Sequence, residues 1–205
     1  MNEQLWWYVA RSGGIVAWAL LGASVLWGLA LSTKVTNGKP RPNWILDMHR
    51  FLGGMALLFT GIHVISLMLD SYVHFGLSEV LVPLASAWHP VAVAWGVIGL
   101  YLLLAVELTS LARKKIPKRL WRMTHFLSFP LFLSTTVHAL TAGTDRSTML
   151  LRSGVIIVSA AVTCLTFVRV RQVERRDAAT VPVSARVMSA EQRSVLSGSS
   201  QGSAR

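Results

Sequence analysis

The chain has 205 residues, 53% of them hydrophobic and only 14% charged, with a net charge of +11 and a mean hydropathy of +0.51. Such a composition excludes an ordinary water-soluble domain. The positive charge calls for no nucleic acid, because anionic lipid headgroups attract lysine and arginine at a membrane surface.

Five stretches, 12–32, 51–69, 91–111, 121–140 and 149–168, are apolar enough to cross a ~30 Å hydrocarbon core, which takes about 20 helical residues. This predicts an all-α integral membrane protein, a bundle of about five transmembrane helices spanning residues 1–170. The first stretch lacks a basic leader and a small-residue cleavage site, so it is read as a span rather than a signal peptide. Between the second and third lies a connection from Asp70 to Pro90, whose run Val80-Leu81-Val82-Pro83-Leu84 is too apolar for a free loop. It is expected to fold back as a short amphipathic lid, with His74 and His89 as loop residues. Residues 171–205 are polar and end Ser-Gly-Ser-Ser-Gln-Gly-Ser-Ala-Arg, which predicts a disordered tail. Cys164 is the only cysteine, so the chain can form no internal disulfide and has no C-x-x-C-H attachment site.

Basic residues alternate sides. Lys34, Lys39, Arg41 and Arg50 flank the first connection, and Arg113, Lys114, Lys115, Lys118, Arg119 and Arg122 the third. Arg169, Arg171, Arg175, Arg176, Arg186, Arg193 and Arg205 follow the last span, leaving only Arg11, Arg146 and Arg152 opposite. Positive loops stay cytoplasmic, which predicts the N-terminus outside and the C-terminus inside.

Against this background four histidines stand out. His49 and His63 belong to the second span and its entrance, His125 and His138 to the fourth. Ionisable residues inside a membrane are costly and read first as functional. At ~1.5 Å rise per residue, spacings of 14 and 13 both cover about 20 Å. Both spans run from inside to outside, so the charges pair His49 with His125 near the cytoplasmic face and His63 with His138 deeper. Two neutral imidazoles at one depth are what a six-coordinate haem iron takes. A 14-residue spacing keeps His49 and His63 on one helix face, whereas a 13-residue spacing leaves His125 and His138 about 140° apart. Pro130 between them is expected to kink and re-phase that helix. With no covalent attachment motif, any haem is b-type.

Other residues fit haem pockets with less force. Gly53, Gly54 and Gly61 surround His49 and His63 and would admit a flat macrocycle, although small residues also serve ordinary helix packing. Phe126, Phe129 and Phe132 would fill the gap between two haems or simply form core. Arg50 and Arg122 are candidate partners of inner-haem propionates, and Arg152 of outer-haem propionates. Glu107, near the cytoplasmic end of the third span and the only acid well inside one, is read first as half of an ion pair with the nearby basic residues, and otherwise as a proton or quinone ligand.

These residues resemble a known family. His-x13-His on one helix and His-x12-His on another, with a single helix between them and the basic stretch 113–122 leading into the second pair, is similar to the ferric reductase-like transmembrane domain. That domain is shared by NADPH oxidases, ferric reductases and the haem subunit of the bacterial periplasmic methionine sulfoxide reductase. The resemblance spans about 12–168 and implies two stacked b-haems, ligated by His49, His63, His125 and His138, carrying electrons from the cytoplasmic to the outer face. No glycine-rich dinucleotide fingerprint is present and the chain ends about 35 residues after its last helix. The expectation is therefore a membrane haem subunit of an oxidoreductase complex without its own NAD(P)H or flavin domain. Its donor would be a cytoplasmic flavoprotein reductase or a membrane quinol, and its acceptor an extracytoplasmic protein or ferric iron. The alternatives are a haem or small-solute transporter and a non-redox membrane scaffold subunit.

Overall fold

The structure, a computed structural model, describes residues 4–33, 42–71, 75–143 and 148–180. Lys34, Lys39, Arg41, His74, Asp145, Arg146 and the tail from 181 lie outside them. The order is α1 (Leu5–Thr33), α2 (Pro42–Leu69), a short α3 (Leu77–Leu81), α4 (Pro90–Leu111) and a 3-10 turn (Ala112–Lys114). Then come α5 (Lys118–His125), α6 (Ser128–Thr141) and α7 (Met149–Thr180). Among the described residues there is no strand.

Four helical segments, Leu5–Thr33, Asn43–Leu69, Pro90–Lys114 and Met149–Arg175, are long and apolar enough to cross a membrane. The fourth of the five expected spans is not one helix. It is divided at Phe126–Leu127 into α5 and α6, neither of which meets that length alone. Pro130 explains the break: it has no N–H for the carbonyl of residue 126, and its ring crowds that carbonyl. The backbone tightens instead, Leu127 N–H bonding the Thr124 carbonyl at 3.0 Å and Phe129 N–H the Phe126 carbonyl at 3.2 Å, before i→i−4 bonding resumes from Leu131 to Leu127.

Two antiparallel hairpins form the frame, α1 with α2 and α4 with α6. The first half of α7 closes one side, its Leu151, Val155 and Val162 packing with Trp18, Val25, Leu29 and Phe132. Trp18 and Phe132 stack with centroids 6.4 Å apart, and Trp18 Nε1–H donates to Thr136 Oγ1 at 3.0 Å. A second cluster joins Leu21, Ala56, Leu103 and Leu131. Outward, α2 exposes Phe51, Leu58 and Ile65, a stripe of seven-residue spacing suited to lipid rather than water.

The chain divides into two compact units, Met1–Leu165 and Thr166–Arg205. In the second, the described residues continue α7 to Thr180, so 171–180 are helical where the tail was expected to begin. Arg171 pairs with Glu174 at 3.9 Å and lies over the Phe167 ring, contacts that favour helix one turn apart.

Candidate functional site

The four histidines meet in two pairs. His49 and His125 have ring centroids 5.9 Å apart with planes at 84°. His63 and His138 lie 6.3 Å apart at 74°. The break before α6 supplies the re-phasing that a straight helix lacks, since His125 closes α5 and His138 belongs to α6.

Three of the four rings are held from behind. A carbonyl oxygen can only accept, so an imidazole Nδ1 beside one carries the proton and leaves the Nε2 lone pair free. His63 Nδ1–H donates to the Ala10 carbonyl at 2.7 Å, His138 to Ala92 at 2.8 Å and His49 to Ser24 at 2.9 Å. His49 is further fixed by Ser24 Oγ, 3.1 Å from its Nδ1. His125 has no such anchor. Its Nδ1 lies 3.5 Å from Ser110 Oγ, and its ring stacks on Trp121 at 5.1 Å and 22°.

These anchors depend on glycines that the sequence reading passed over. Helical side chains lean toward the N-terminus, so the residue at i+4 covers the carbonyl at i. Gly14, Gly28 and Gly96 stand four residues after Ala10, Ser24 and Ala92 and leave those carbonyls open to an imidazole. A Cβ at Gly14 would lie 3.0 Å from His63 Nδ1, at Gly28 3.2 Å from His49 Cε1, and at Gly96 2.7 Å from His138 Cε1. The signal was present: Gly14 and Gly28 repeat the 14-residue spacing of His49 and His63 on the antiparallel neighbour, as Gly96 and Ser110 do on α4.

A cavity of about 240 Å³ opens at the His63–His138 pair. Gly14, Trp18, Ala56, Thr60, Gly96 and Leu103 contribute to its mostly apolar wall, and Phe75, Glu79, Val80 and Trp88 reach it from the α2–α4 connection. That connection does fold back over the bundle. Tyr101 O–H ties it to α4 by donating to the Leu81 carbonyl at 2.6 Å, and α3 starts with Glu79 accepting from Gly76 N–H at 2.8 Å. Hydrogen bonds from Ser78 and then backbone N–H groups hold the Glu79 carboxyl below its ordinary range. Leu84 and His89 sit at positive φ, 71° and 42°, strain of order 1–3 kcal/mol each for such residues. His89 immediately precedes α4, as a loop residue.

Among the secondary candidates, Glu107 departs from its first reading. Gly53 packs on Glu107, whose Oε1 would be 2.6 Å from a Cβ there, and nothing lies within 4 Å of such an atom at Gly54 or Gly61. Glu107 has no ion-pair partner among the described residues; the basic residues it was expected to meet lie beyond the end of α4. Phe126 is 62% exposed, while Phe129 and Phe132 belong to the core facing α1 and α7 and not to the cavity wall. Arg152 is exposed, on α7, whereas Arg11 lines the cavity. Arg50 pairs with Asp47 at 3.5 Å, both exposed, and Arg122 is also exposed.

The donor set fits haem. An ion held between two imidazoles at ~2 Å each, with ring centroids about 1.1 Å behind the nitrogens, sets the centroids about 6 Å apart. Anchoring of the distal ring nitrogen is the usual support of a metal-binding imidazole. Trp121 Nε1–H, buried beside His125, has no hydrogen-bond partner among the described residues.

The family model of the ferric reductase like transmembrane component matches residues 13–136. The chain belongs to this family. The matched stretch carries His49, His63 and His125, with His138 two residues beyond its end. No curated protein and no solved structure matches the chain. The membership and the four long apolar helices identify an integral membrane protein.

Proposed function

We propose that this ferric reductase-like protein passes electrons across the membrane by way of two b-type haems, one between His49 and His125 and one between His63 and His138. The single observation that carries the reading is the double recurrence of two facing imidazoles about 6 Å apart, three of the four anchored through Nδ1 to a helix carbonyl. When bound, haem iron supplies reversible one-electron chemistry. The chain's own part is to present Nε2 lone pairs from two sides, to exclude water with Leu, Ala and Trp side chains, and to place the two sites about 20 Å apart along the bundle.

The basic end of the bundle, with Arg113, Lys114, Lys115 and Lys118, is cytoplasmic in this reading and receives the donor, a flavoprotein reductase or a quinol. The lidded end faces out, toward an acceptor protein or ferric iron. Arg50 and Arg122 are the proposed partners of propionates at the basic end. At the lidded end Arg11, in the cavity wall, is better placed than Arg152. Dithionite-reduced minus oxidised spectra of the purified protein, with haem quantified per chain, test the proposal. It predicts a low-spin b-type spectrum and two haems; a chain that takes up no haem under conditions that load other b-type cytochromes refutes it.

A further inference from the structure

The two pairs are built alike except at one ligand. His49, His63 and His138 each reach a carbonyl uncovered by a glycine at i+4. At the corresponding place on α4, Ser110 follows Val106 by four residues and its side chain stands where the glycine would be, while the Val106 carbonyl accepts from Thr109 Oγ1 at 3.2 Å. His125 Nδ1 therefore meets only Ser110 Oγ, at 3.5 Å, the outer limit of a hydrogen bond. His125 is also the last residue of α5, next to the helix break. What does touch it is Trp121, one turn earlier, stacked at 5.1 Å. Arg113 in turn lies over the Trp121 ring, its Cζ 4.4 Å from the centroid. Trp121 Nε1–H has no partner, so ring contacts, not a hydrogen bond, fix the indole among the described residues.

We propose that Trp121, backed by Arg113, is the positioning residue of His125, replacing the missing carbonyl anchor and making the basic-end haem the more easily reduced of the two. The inference rests on the haem reading above. An imidazole that donates strongly through Nδ1–H becomes a better electron donor to a metal and favours the oxidised ion. His125 lacks that push. The Arg113 charge nearby favours the less positive, reduced iron. Both effects raise the reduction potential at the His49–His125 site and neither reaches the His63–His138 site.

Potentiometric titration and electron paramagnetic resonance of the haem-loaded full chain test this, with the basic-end component identified as the one that His49→Ala removes. In the wild type that component is expected to be reduced first. Trp121→Ala is expected to lose basic-end haem or turn it high-spin and reactive to carbon monoxide, leaving the lid-side haem unchanged. Trp121→Phe, which keeps a stacking ring, is expected to restore the low-spin signal. Arg113 is exposed, so Arg113→Gln should fold even where Trp121→Ala does not; it is expected to shift only the basic-end potential downward. Wild-type spectra and potentials in Trp121→Ala overturn the proposal, as does an Arg113→Gln shift in neither haem or in both. A wild-type chain without haem overturns the haem reading itself, and this inference with it.

Discussion

The lid-side and basic-end pairs use the same two hairpins and the same imidazole chemistry, yet they differ in support. At the lid side both rings hang from helix carbonyls, glycines bring the neighbouring backbone against them, and a cavity roofed by the α2–α4 connection lies between. At the basic end one ring has its carbonyl, while the other ends a short helix and leans on an indole. Anchoring by backbone is rigid because the helix cannot move its carbonyl without breaking its own ladder. Anchoring by a stacked side chain leaves a ligand more adjustable.

The largest way to break this comparison is to remove a ligand. His63→Ala and His138→Ala should each remove the lid-side haem, about half of the total, and spare the other; His49→Ala and His125→Ala should do the reverse. Haem-to-protein ratios on the four variants check it, and loss of the same haem by His63→Ala and His125→Ala would break the pairing.

Filling the glycines comes next. A methyl at Gly96 meets His138 at 2.7 Å, at Gly14 His63 at 3.0 Å and at Gly28 His49 at 3.2 Å, so Gly96→Ala should cost most and Gly28→Ala least. Overpacking of this kind costs about 1–3 kcal/mol, read as loss of haem occupancy and of thermal stability. Equal effects at the three positions would show that the glycines serve helix packing alone. The converse change, Ser110→Gly combined with Thr109→Val, clears the Val106 carbonyl, which otherwise accepts from Thr109 Oγ1 at 3.2 Å, and should make the basic end resemble the lid side. The basic-end potential should fall, and its dependence on Trp121 should weaken.

Charge reversal at Lys114, Lys115 and Lys118 should slow reduction by a cytoplasmic flavoprotein several-fold at low salt, because complementary charge acts chiefly on the association rate. The difference should shrink at high ionic strength, with dithionite reduction and topology unchanged. Indifference to both mutation and salt would point to a quinol donor.

The smallest effect concerns the lid. The Glu79 carboxylate is lowered in pKa by Ser78 and backbone N–H groups, so its contribution to α3 is present at neutral pH. That contribution is lost as pH falls through the lowered value. Protection factors in 76–81, with exchange rates corrected for their intrinsic pH dependence, should fall on acidification in the wild type and less so in Glu79→Gln.

The histidine pairs could be read from the chain because membrane burial makes an ionisable residue conspicuous and the alternating arginines and lysines order the helices. The division of α5 from α6 was legible only in part: Pro130 announces a distortion, but which carbonyls give way depends on packing. Gly14, Gly28 and Gly96 became meaningful only once the antiparallel register set them against imidazoles, although the 14-residue spacing of Gly14 and Gly28 was there to see. Glu107 misled because charge proximity in sequence suggested an ion pair, whereas the register of α2 and α4 sets its carboxyl against Gly53. The helical continuation of α7 to Thr180 carries no hydropathy signal, since helix propensity and pairs such as Arg171–Glu174 sustain it.

The central claim is conduction across a membrane, and vesicles test it most directly. Haem-loaded protein is reconstituted into liposomes enclosing ferricyanide, and dithionite is added outside. The account predicts reduction of the enclosed ferricyanide at a rate proportional to the protein incorporated, abolished by His49→Ala or His63→Ala. Rates no faster than in protein-free vesicles, with the haems of the wild type nonetheless reduced, would contradict it.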